Sequence, residues 1–395
     1  MDPITQLPAG ACPVCGNDDI RSFLNIRNVP VHCNILWKSR EDAVNAPRGD
    51  IELGFCNHCD HIFNRRFNPM LMEYSEVYEN SLHFSPRFQS YAEDLAKELI
   101  RRYQLYNKDI IEIGCGKGDF LSLLCENGEN RGTGFDPSYE PDRQTYKTDI
   151  SFVRDFYSPE YAHLTADLVC CRHVLEHVEN PFEFVSTLAC TLSRRPEAAV
   201  YFEVPDAAFI LKGMSIWDII YEHVSYFSSA SLSNLFASAG FSINDVRERF
   251  NGQFVSLEAS VMTDPGKKRD ERGKKPSDLT DHAAMFSKKF EDMLARRQRE
   301  IENLHDRNQR AVVWGAGSKG VTFLNLVDSG FIDCVVDINP NKQGRYVPGT
   351  GHLIVPPEAL KDRRQDKIYV MNPAYEEEIQ NMLVGMGITA DLDRV

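Results

Sequence analysis

Ile110-Ile111-Glu112-Ile113-Gly114-Cys115-Gly116-Lys117-Gly118-Asp119-Phe120-Leu121 decides how this chain folds. A β-branched apolar run closed by an acidic residue reads as a buried strand, three alternate glycines as a tight turn, and Asp119-Phe120-Leu121 as a helix start. Glycines there let a ligand press against bare backbone, with the amides of the helix N-terminus facing it. The spacing is G-x-G-x-G, not the G-x-G-x-x-G of the dinucleotide fingerprint. The next strand, Gly132-Thr133-Gly134-Phe135-Asp136, sets a carboxylate at its end, about 20 residues on, where ribose hydroxyls would be held.

Glycine at such a junction can serve packing alone, but Glu112 before it and Asp136 after it favour a ligand site. The loop resembles motif I of class I S-adenosylmethionine (SAM) methyltransferases. Val153-Arg154-Asp155-Phe156 resembles the segment that gives an adenine a polar contact and an apolar face. Ala166-Asp167-Leu168-Val169-Cys170-Cys171 reads as a buried fourth strand, followed by His173-Val174-Leu175-Glu176-His177-Val178. The resemblance implies SAM as cofactor, with Glu112, Gly114, Gly116, Gly118, Asp136, Asp155, Phe156 and His173 around it.

A chain of 395 residues suggests two or three domains, and 42% hydrophobic residues suffice for real cores. The net charge of −14 argues against a general nucleic-acid binder, because no basic surplus exists to neutralise phosphates. No apolar run reaches membrane-spanning length, and the N-terminus lacks the layout of a signal peptide, so the expected location is the cytoplasm. The 11 cysteines are an odd number, and Cys115, Cys170, Cys171 and Cys190 fall in core or motif segments, which argues against a disulfide framework.

Four cysteines stand apart. Cys12-Pro13-Val14-Cys15-Gly16 and Cys56-Asn57-His58-Cys59-Asp60 are two C-x-x-C knuckles, and two knuckles can close one tetrahedral metal site with no open position. They predict a structural zinc on Cys12, Cys15, Cys56 and Cys59; four free thiols, with or without a redox pair, are the alternative. Residues 16 to 55 should form a small β-rich lobe of their own. His58 and His61 flank the second knuckle and could replace one cysteine, but are read as surface residues, and His32 and Cys33 as unrelated to the metal.

The expected organisation is a zinc-binding lobe at 1–75, a methyltransferase domain at 76–265, a linker and long helix at 266–310, and a second α/β lobe at 311–395. Residues 84 to 106 carry a helical pattern (Phe88, Tyr91, Leu95, Leu99, Tyr103). The mixed charge run at 264–276 reads as a solvated linker, and Asp281 to Arg310 as a long polar helix. In the last lobe, Ala311-Val312-Val313-Trp314-Gly315-Ala316-Gly317-Ser318-Lys319-Gly320 does match G-x-G-x-x-G, and Cys334-Val335-Val336-Asp337 ends in an acid. With about 85 residues it has room for half of a dinucleotide fold. We therefore read Gly315, Gly317 and Lys319 as gripping a substrate pyrophosphate rather than NAD, with a purely structural lobe between the two readings.

One further segment carries chemistry: Tyr221-Glu222-His223-Val224-Ser225-Tyr226-Phe227-Ser228, beyond a strand ending in Glu203-Val204-Pro205-Asp206. A histidine suits proton removal beside a carbonyl near neutral pH, and a surface turn with a satisfied histidine is the competing reading. The paired knuckles, central SAM domain, Tyr-Glu-His segment followed by Phe-Ser, and C-terminal glycine-loop lobe together resemble the sugar C-methyltransferases over nearly the whole chain. These enzymes add a branching methyl to nucleotide-linked deoxy keto-sugars. The resemblance implies an α/β fold: a class I SAM-methyltransferase (Rossmann-like) core with a small N-terminal zinc lobe and a C-terminal Rossmann-like lobe.

It also implies His223 as base, with Tyr221, Glu222, Tyr78 and His177 as active-site neighbours. Where the sugar enzymes carry His-Gly-Gly, this chain reads Phe250-Asn251-Gly252-Gln253-Phe254, and Asn251 and Gln253 can hydrogen-bond a polar substrate. The expected reaction is C-methylation next to the ketone of a nucleotide-linked sugar through an enolate, in a monomer or homodimer. An O- or N-methyltransferase on another polar small molecule is the alternative, and a non-catalytic SAM- or nucleotide-binding regulator the third reading.

Overall fold

The computed structural model describes residues 10–72, 78–79, 81–140, 149–263 and 279–395. The charged run 264–276 lies outside the described residues. Three antiparallel strands open the chain: β1 (Ile20–Pro30), β2 (Arg48–Cys56) and β3 (Ile62–Asn64). Between the first two sits α1 (Arg40–Val44), started by the Ser39 hydroxyl accepting the Asp42 N–H.

The predicted helix runs as α2 (Pro86–Tyr103). Ser85 caps it by accepting the Phe88 N–H, Pro86 opens the first turn, and Gln104 ends it in the left-handed region at φ 51°. Its buried face, including Ala92, Leu95, Ala96 and Leu99, packs with Leu121 and Leu124 of α3 (Asp119–Gly128) on one side of the main sheet.

That sheet has 7 strands. β4 (Asp109–Ile113), β5 (Arg131–Phe135), β6 (Ile150–Val153), β7 (Leu168–Arg172) and β8 (Ala199–Pro205) are mutually parallel. The two-residue β9 (Ser225–Tyr226) leaves this sheet and pairs with β3. β10 (Phe241–Arg249) and β11 (Phe254–Val261) close the edge antiparallel, giving the order β10-β11-β8-β7-β4-β5-β6. β7 is buried along its whole length, as a parallel strand covered on both faces must be, which is why it reads as an apolar run closed by Arg172. The order turns back between β5 and β7 around β4, so a crevice opens beyond the carboxyl ends of these strands. This is the class I methyltransferase sheet.

Helices α4 (Pro181–Leu192), α5 (Ala207–Lys212) and α6 (Ser229–Ser238) follow the strands, the last started by a Ser228–Ser231 capping box. The long helix α7 (Leu279–Asp306) then leads to a parallel 5-stranded sheet. It comprises β12 (Ala311–Trp314), β13 (Ile332–Val336), β14 (Ile354–Val355), β15 (Lys367–Val370) and β16 (Asp391–Arg394), in the order β14-β13-β12-β15-β16. α8 (Ser318–Leu326) and α9 (Glu376–Gly385) accompany it.

The outer parts of the chain are not separate globules. One apolar cluster runs from Leu24, Ile51 and Phe55 through Trp217 and Tyr221 to Phe286 on α7 and Val313 and Phe323 of the last lobe. The N-terminal sheet and the C-terminal lobe therefore share a core, and together they roof the crevice of the central sheet.

Candidate active site

The first glycine turn is built for contact. Gly114, Gly116 and Gly118 have φ of 68°, 54° and 82°. A Cβ on Gly114 would lie 2.1 Å from Val174 Cγ2, whereas one on Gly116 would meet nothing within 4 Å, leaving open space over that backbone. Asp136 is fixed beside it: one oxygen accepts the Gly116 N–H at 2.8 Å, the other the Ser138 N–H at 2.8 Å and hydroxyl at 2.6 Å. Glu112 is buried with Oε2 unpartnered, and burial pushes its carboxyl up to about 8. Asp155 accepts the Tyr161 hydroxyl at 2.7 Å, and the Phe156 ring beside it is 65% exposed. Bare backbone, a fixed carboxylate, an unsatisfied buried acid and an open aromatic face fit an adenosyl ligand.

A cavity of about 880 Å³ runs from this turn to the second glycine loop, past His177 and His223. His177 Nδ1 lies 2.8 Å from the Glu222 carbonyl, so Nδ1 carries the proton and Nε2 keeps its lone pair. The His177 and His223 rings meet edge-on at 5.0 Å. His223 Nδ1 is unpartnered, and burial first, then His177 and His173, holds this imidazole well below the usual histidine range. Burial likewise lowers His177 and pushes Glu176 up to about 8. Both rings are thus neutral near pH 7 while Glu176 keeps its proton, and the three residues offer donor atoms within 4.8 Å of one another.

Tyr78 lines this cavity, its backbone bridged to Ile35. His173, at φ 56°, also lines it, with Nε2 3.2 Å from Glu203. Tyr221 and Glu222, expected beside His223, do not line it. The Tyr221 hydroxyl accepts the Asn68 N–H at 2.9 Å, and its ring covers Gly49. The Glu222 carboxylate is fully buried against the N-terminal lobe, accepting the Cys33 N–H at 3.0 Å with His32 at 3.6 Å. The turn sends these two side chains into the shared core and leaves His223 toward the cavity. Gly118 caps α3 behind the wall, and Asn251 sits in a turn at φ 57°, outside the lining.

The second loop repeats the first. The Ala316 N–H donates to Asp337 Oδ2 at 2.8 Å and the Asn339 N–H to Oδ1 at 2.8 Å, the same clasp that Asp136 makes. Gly315 adopts φ 115°, and a Cβ on Gly320 would strike the Gly315 carbonyl at 1.9 Å. Gly315 and Gly317 line the cavity, as does Lys319. Lys319 is not a spare counter-charge: its ammonium pairs with Asp218 at 2.7 Å. Gln253 exchanges two amide hydrogen bonds with Asn372, at 2.9 and 3.1 Å, tying the central domain to the last lobe.

Two family models match this chain: a methyltransferase domain over residues 87–246 and a C-methyltransferase C-terminal domain over residues 268–386. C-methyltransferase NovU of Streptomyces niveus is 24% identical over 401 residues, spanning 94% of this chain and 91% of that protein. The chain belongs to the SAM-dependent C-methyltransferases. Among solved structures, the 1,6-didemethyltoxoflavin-N1-methyltransferase of Burkholderia thailandensis is similar at 16% identity and TM-score 0.35, over 45% of this chain and 81% of that one. Magnesium protoporphyrin IX methyltransferase of Synechocystis PCC 6803 is similar at 19% identity and TM-score 0.34, over 44% and 84%. The fold stands on the strand order, independent of these two likenesses.

The C-methyltransferase site holds residues that sequence reading passed over. Arg172, one position beyond the quoted strand, pairs with Glu203 at 2.9 Å and stacks 4.2 Å over the Phe120 ring. Glu203 also accepts the hydroxyls of Tyr91 and Tyr201. Burial opposes its charge, but Arg172 outweighs it and holds the carboxyl far below the usual range. A charged residue closing an apolar strand was the available signal for Arg172, and an acid within the apolar strand β8 the signal for Glu203; only their pairing has no local mark.

The four knuckle cysteines come together. Cys12–Cys59 and Cys15–Cys56 sulfurs are 3.6 Å apart, and all four lie within 4.8 Å. A tetrahedron of 2.3 Å zinc–sulfur bonds has edges of about 3.8 Å, so the cluster fits that ion. Hydrogen bonding to Cys12 is the first cause that lowers the Cys15 and Cys56 thiols. His58 is exposed, but His61, expected at the surface, is fully buried, stacked on Phe63 with Nε2 3.2 Å from the Ser225 hydroxyl. Among the described residues, no helix is long and apolar enough to cross a membrane.

Proposed function

We propose that this enzyme methylates the carbon next to the ketone of a nucleotide-linked deoxy keto-sugar. The observation that carries the reading is a pair of neutral, half-buried histidines lining the same cavity as two aspartate-clasped glycine loops. SAM, held by Glu112, the 114–116 turn, Asp136, Asp155 and Phe156, supplies an electrophilic methyl group. His223, a neutral imidazole on the cavity wall, takes the proton from the carbon beside the ketone. Glu176, still protonated, donates a hydrogen bond to the enolate oxygen, a task also open to Tyr78 and to His177 once protonated. Gln253 and the second loop hold the nucleotide end, which aligns the nucleophilic carbon with the methyl group. The roof formed by the outer lobes keeps out water that would reprotonate the enolate.

Cys12, Cys15, Cys56 and Cys59 would hold a structural Zn²⁺; their thiolates fill all four positions and no step passes through the ion. Free thiols throughout the described chain suit a reducing, cytoplasmic setting.

The test is mass spectrometry of the enzyme with SAM and a panel of nucleotide-linked 4-keto-sugars in deuterated buffer. C-methylation through an enolate gives a product heavier by one methyl and deuterium in recovered substrate. His223→Ala should lose both while still binding S-adenosylhomocysteine. Methylation without exchange would move the reading to O- or N-methyl transfer.

A further inference from the structure

The two glycine loops belong to different lobes, yet a continuous chain of polar contacts joins them, with Glu79 at its centre. Glu79 is 2% exposed and lies behind the cavity wall. Its Oε2 is ion-paired with Lys117, the residue between Gly116 and Gly118 of the first loop, and accepts the Asn341 amide at 2.8 Å. From there the path continues: the Asn341 N–H donates to Asn339 Oδ1 at 2.9 Å, and the Asn339 N–H to Asp337, whose other oxygen clasps Ala316 of the second loop. Its other end is the Gly116 N–H on Asp136.

The N-terminal lobe joins at the same point. The Glu79 N–H donates to the Asn34 carbonyl at 2.9 Å, and Glu79 Oε1 accepts the Ser81 N–H at 3.2 Å. Lys342, beside Asn341, spans Asn34 Oδ1 at 3.4 Å and the Ala316 carbonyl at 3.1 Å. Burial alone would raise Glu79, but the Lys117 ammonium and the Asn341 amide outweigh it and hold the carboxyl below its usual range. It is a charged group that the fold keeps ionised behind, not in, the site, and of its four partners Asn34, Ser81 and Lys117 line the cavity.

We propose that Glu79 is a positioning residue that locks the SAM loop to the C-terminal glycine loop, so that a change at either loop is felt as binding strength at the other. Because the clasp is a single carboxylate shared by two partners, neither loop can shift without loosening the other's anchor. The inference rests on SAM at the first loop and not on the identity of the methylated substrate.

The experiment is calorimetric titration of the full-length protein with S-adenosylhomocysteine in a double-mutant cycle of Glu79→Gln and Asn341→Ala. Asn341 lies in the C-terminal lobe and outside the cavity lining, so a purely local view predicts no effect. The lock predicts that each single variant weakens binding by roughly tenfold, and that the double variant is no weaker than Glu79→Gln alone. Unchanged affinity in Asn341→Ala, or losses that simply multiply, would overturn the proposal. A merely structural role would lower the fitted number of sites and the unfolding temperature but leave the dissociation constant of the folded molecules unmoved. If Glu79→Gln does not fold, Asn341→Ala against wild type still decides the matter. Since only the cofactor product is titrated, absence of C-methylation on any sugar leaves this result standing.

Discussion

Replacing Glu176 by Gln removes one titrating proton from the centre of the site while keeping the shape of the side chain. Burial raises this carboxyl from 4.5 to about 8, the Glu203 charge adding to it. A carboxyl whose folded value is raised contributes stability that is fully present below 4.5 and is lost as pH climbs through 8. Between pH 6 and pH 9 the wild type should therefore lose about 2–3 kcal/mol through this single group, because nearly two units of preferential protonation vanish at about 1.4 kcal/mol each. Gln does not titrate, so Glu176→Gln should lack that part of the decline. Glu112, raised to about 8 for the same reason, declines in both proteins and cancels in the comparison. The assay is urea unfolding of wild type and variant at both pH values, with the difference of differences as readout. In the proposed mechanism the same proton is offered to the enolate, so wild-type turnover should also fall across pH 8. Parallel pH profiles of stability would refute the claim that Glu176 is protonated in the fold, and with it its assigned role.

Three other perturbations probe the same geometry. Gly114→Ala should abolish S-adenosylhomocysteine binding in titration calorimetry, because its Cβ would sit 2.1 Å from Val174 at a φ of 68°; retained affinity would contradict the placement of the cofactor. Arg172→Met strands the buried Glu203 carboxylate and should cost about 3–5 kcal/mol in denaturant unfolding, part of which Arg172→Met with Glu203→Gln restores. Elemental analysis should find one zinc per chain, and Cys56→Ser should lose it together with the thermal stability of the N-terminal sheet; a metal-free, equally stable wild type would remove zinc from the account.

What the residues alone revealed was whatever is local and repetitive. β4 is legible because a strand covered on both faces reads as an apolar run, here Ile110, Ile111 and Ile113 around the site acid Glu112, and its turn because glycine adopts the positive φ needed there at least cost. Asp136 was legible from its distance along the chain to that turn. Side-chain direction in a short turn has no such period, so Tyr221 and Glu222 read as neighbours of His223 although they face the opposite way. A strand as short as Ser225–Tyr226 carries no pattern, and its pairing with β3 was invisible. Partners such as Arg172 and Glu203, or Glu79 and Asn341, lie 31 and 262 positions apart, and only the folded chain brings them together.

The misdirected pair nevertheless explains why the Tyr221-Glu222-His223 segment is so dense in chemistry. The Glu222 carbonyl fixes which nitrogen of His177 keeps its lone pair, while the Glu222 carboxylate is itself anchored by the Cys33 amide of the N-terminal lobe. On the other flank, Lys319 of the last lobe grips Asp218, and the Tyr226 hydroxyl clamps both backbone groups of Ile220 at 3.1 and 3.0 Å. His223 is thus suspended between two anchors that come from opposite ends of the chain. An imidazole held this way cannot follow a wandering substrate; the substrate must come to it, and the register between the two histidines depends on both outer lobes being docked. In the proposed mechanism Tyr221 and Glu222 therefore bear on proton transfer without lining the cavity, by deciding where His177 and His223 stand. The same logic gives the last lobe a task that does not require it to bind any ligand: Lys319, paired with Asp218, holds the segment leading to His223 in place even when its own glycine loop is idle.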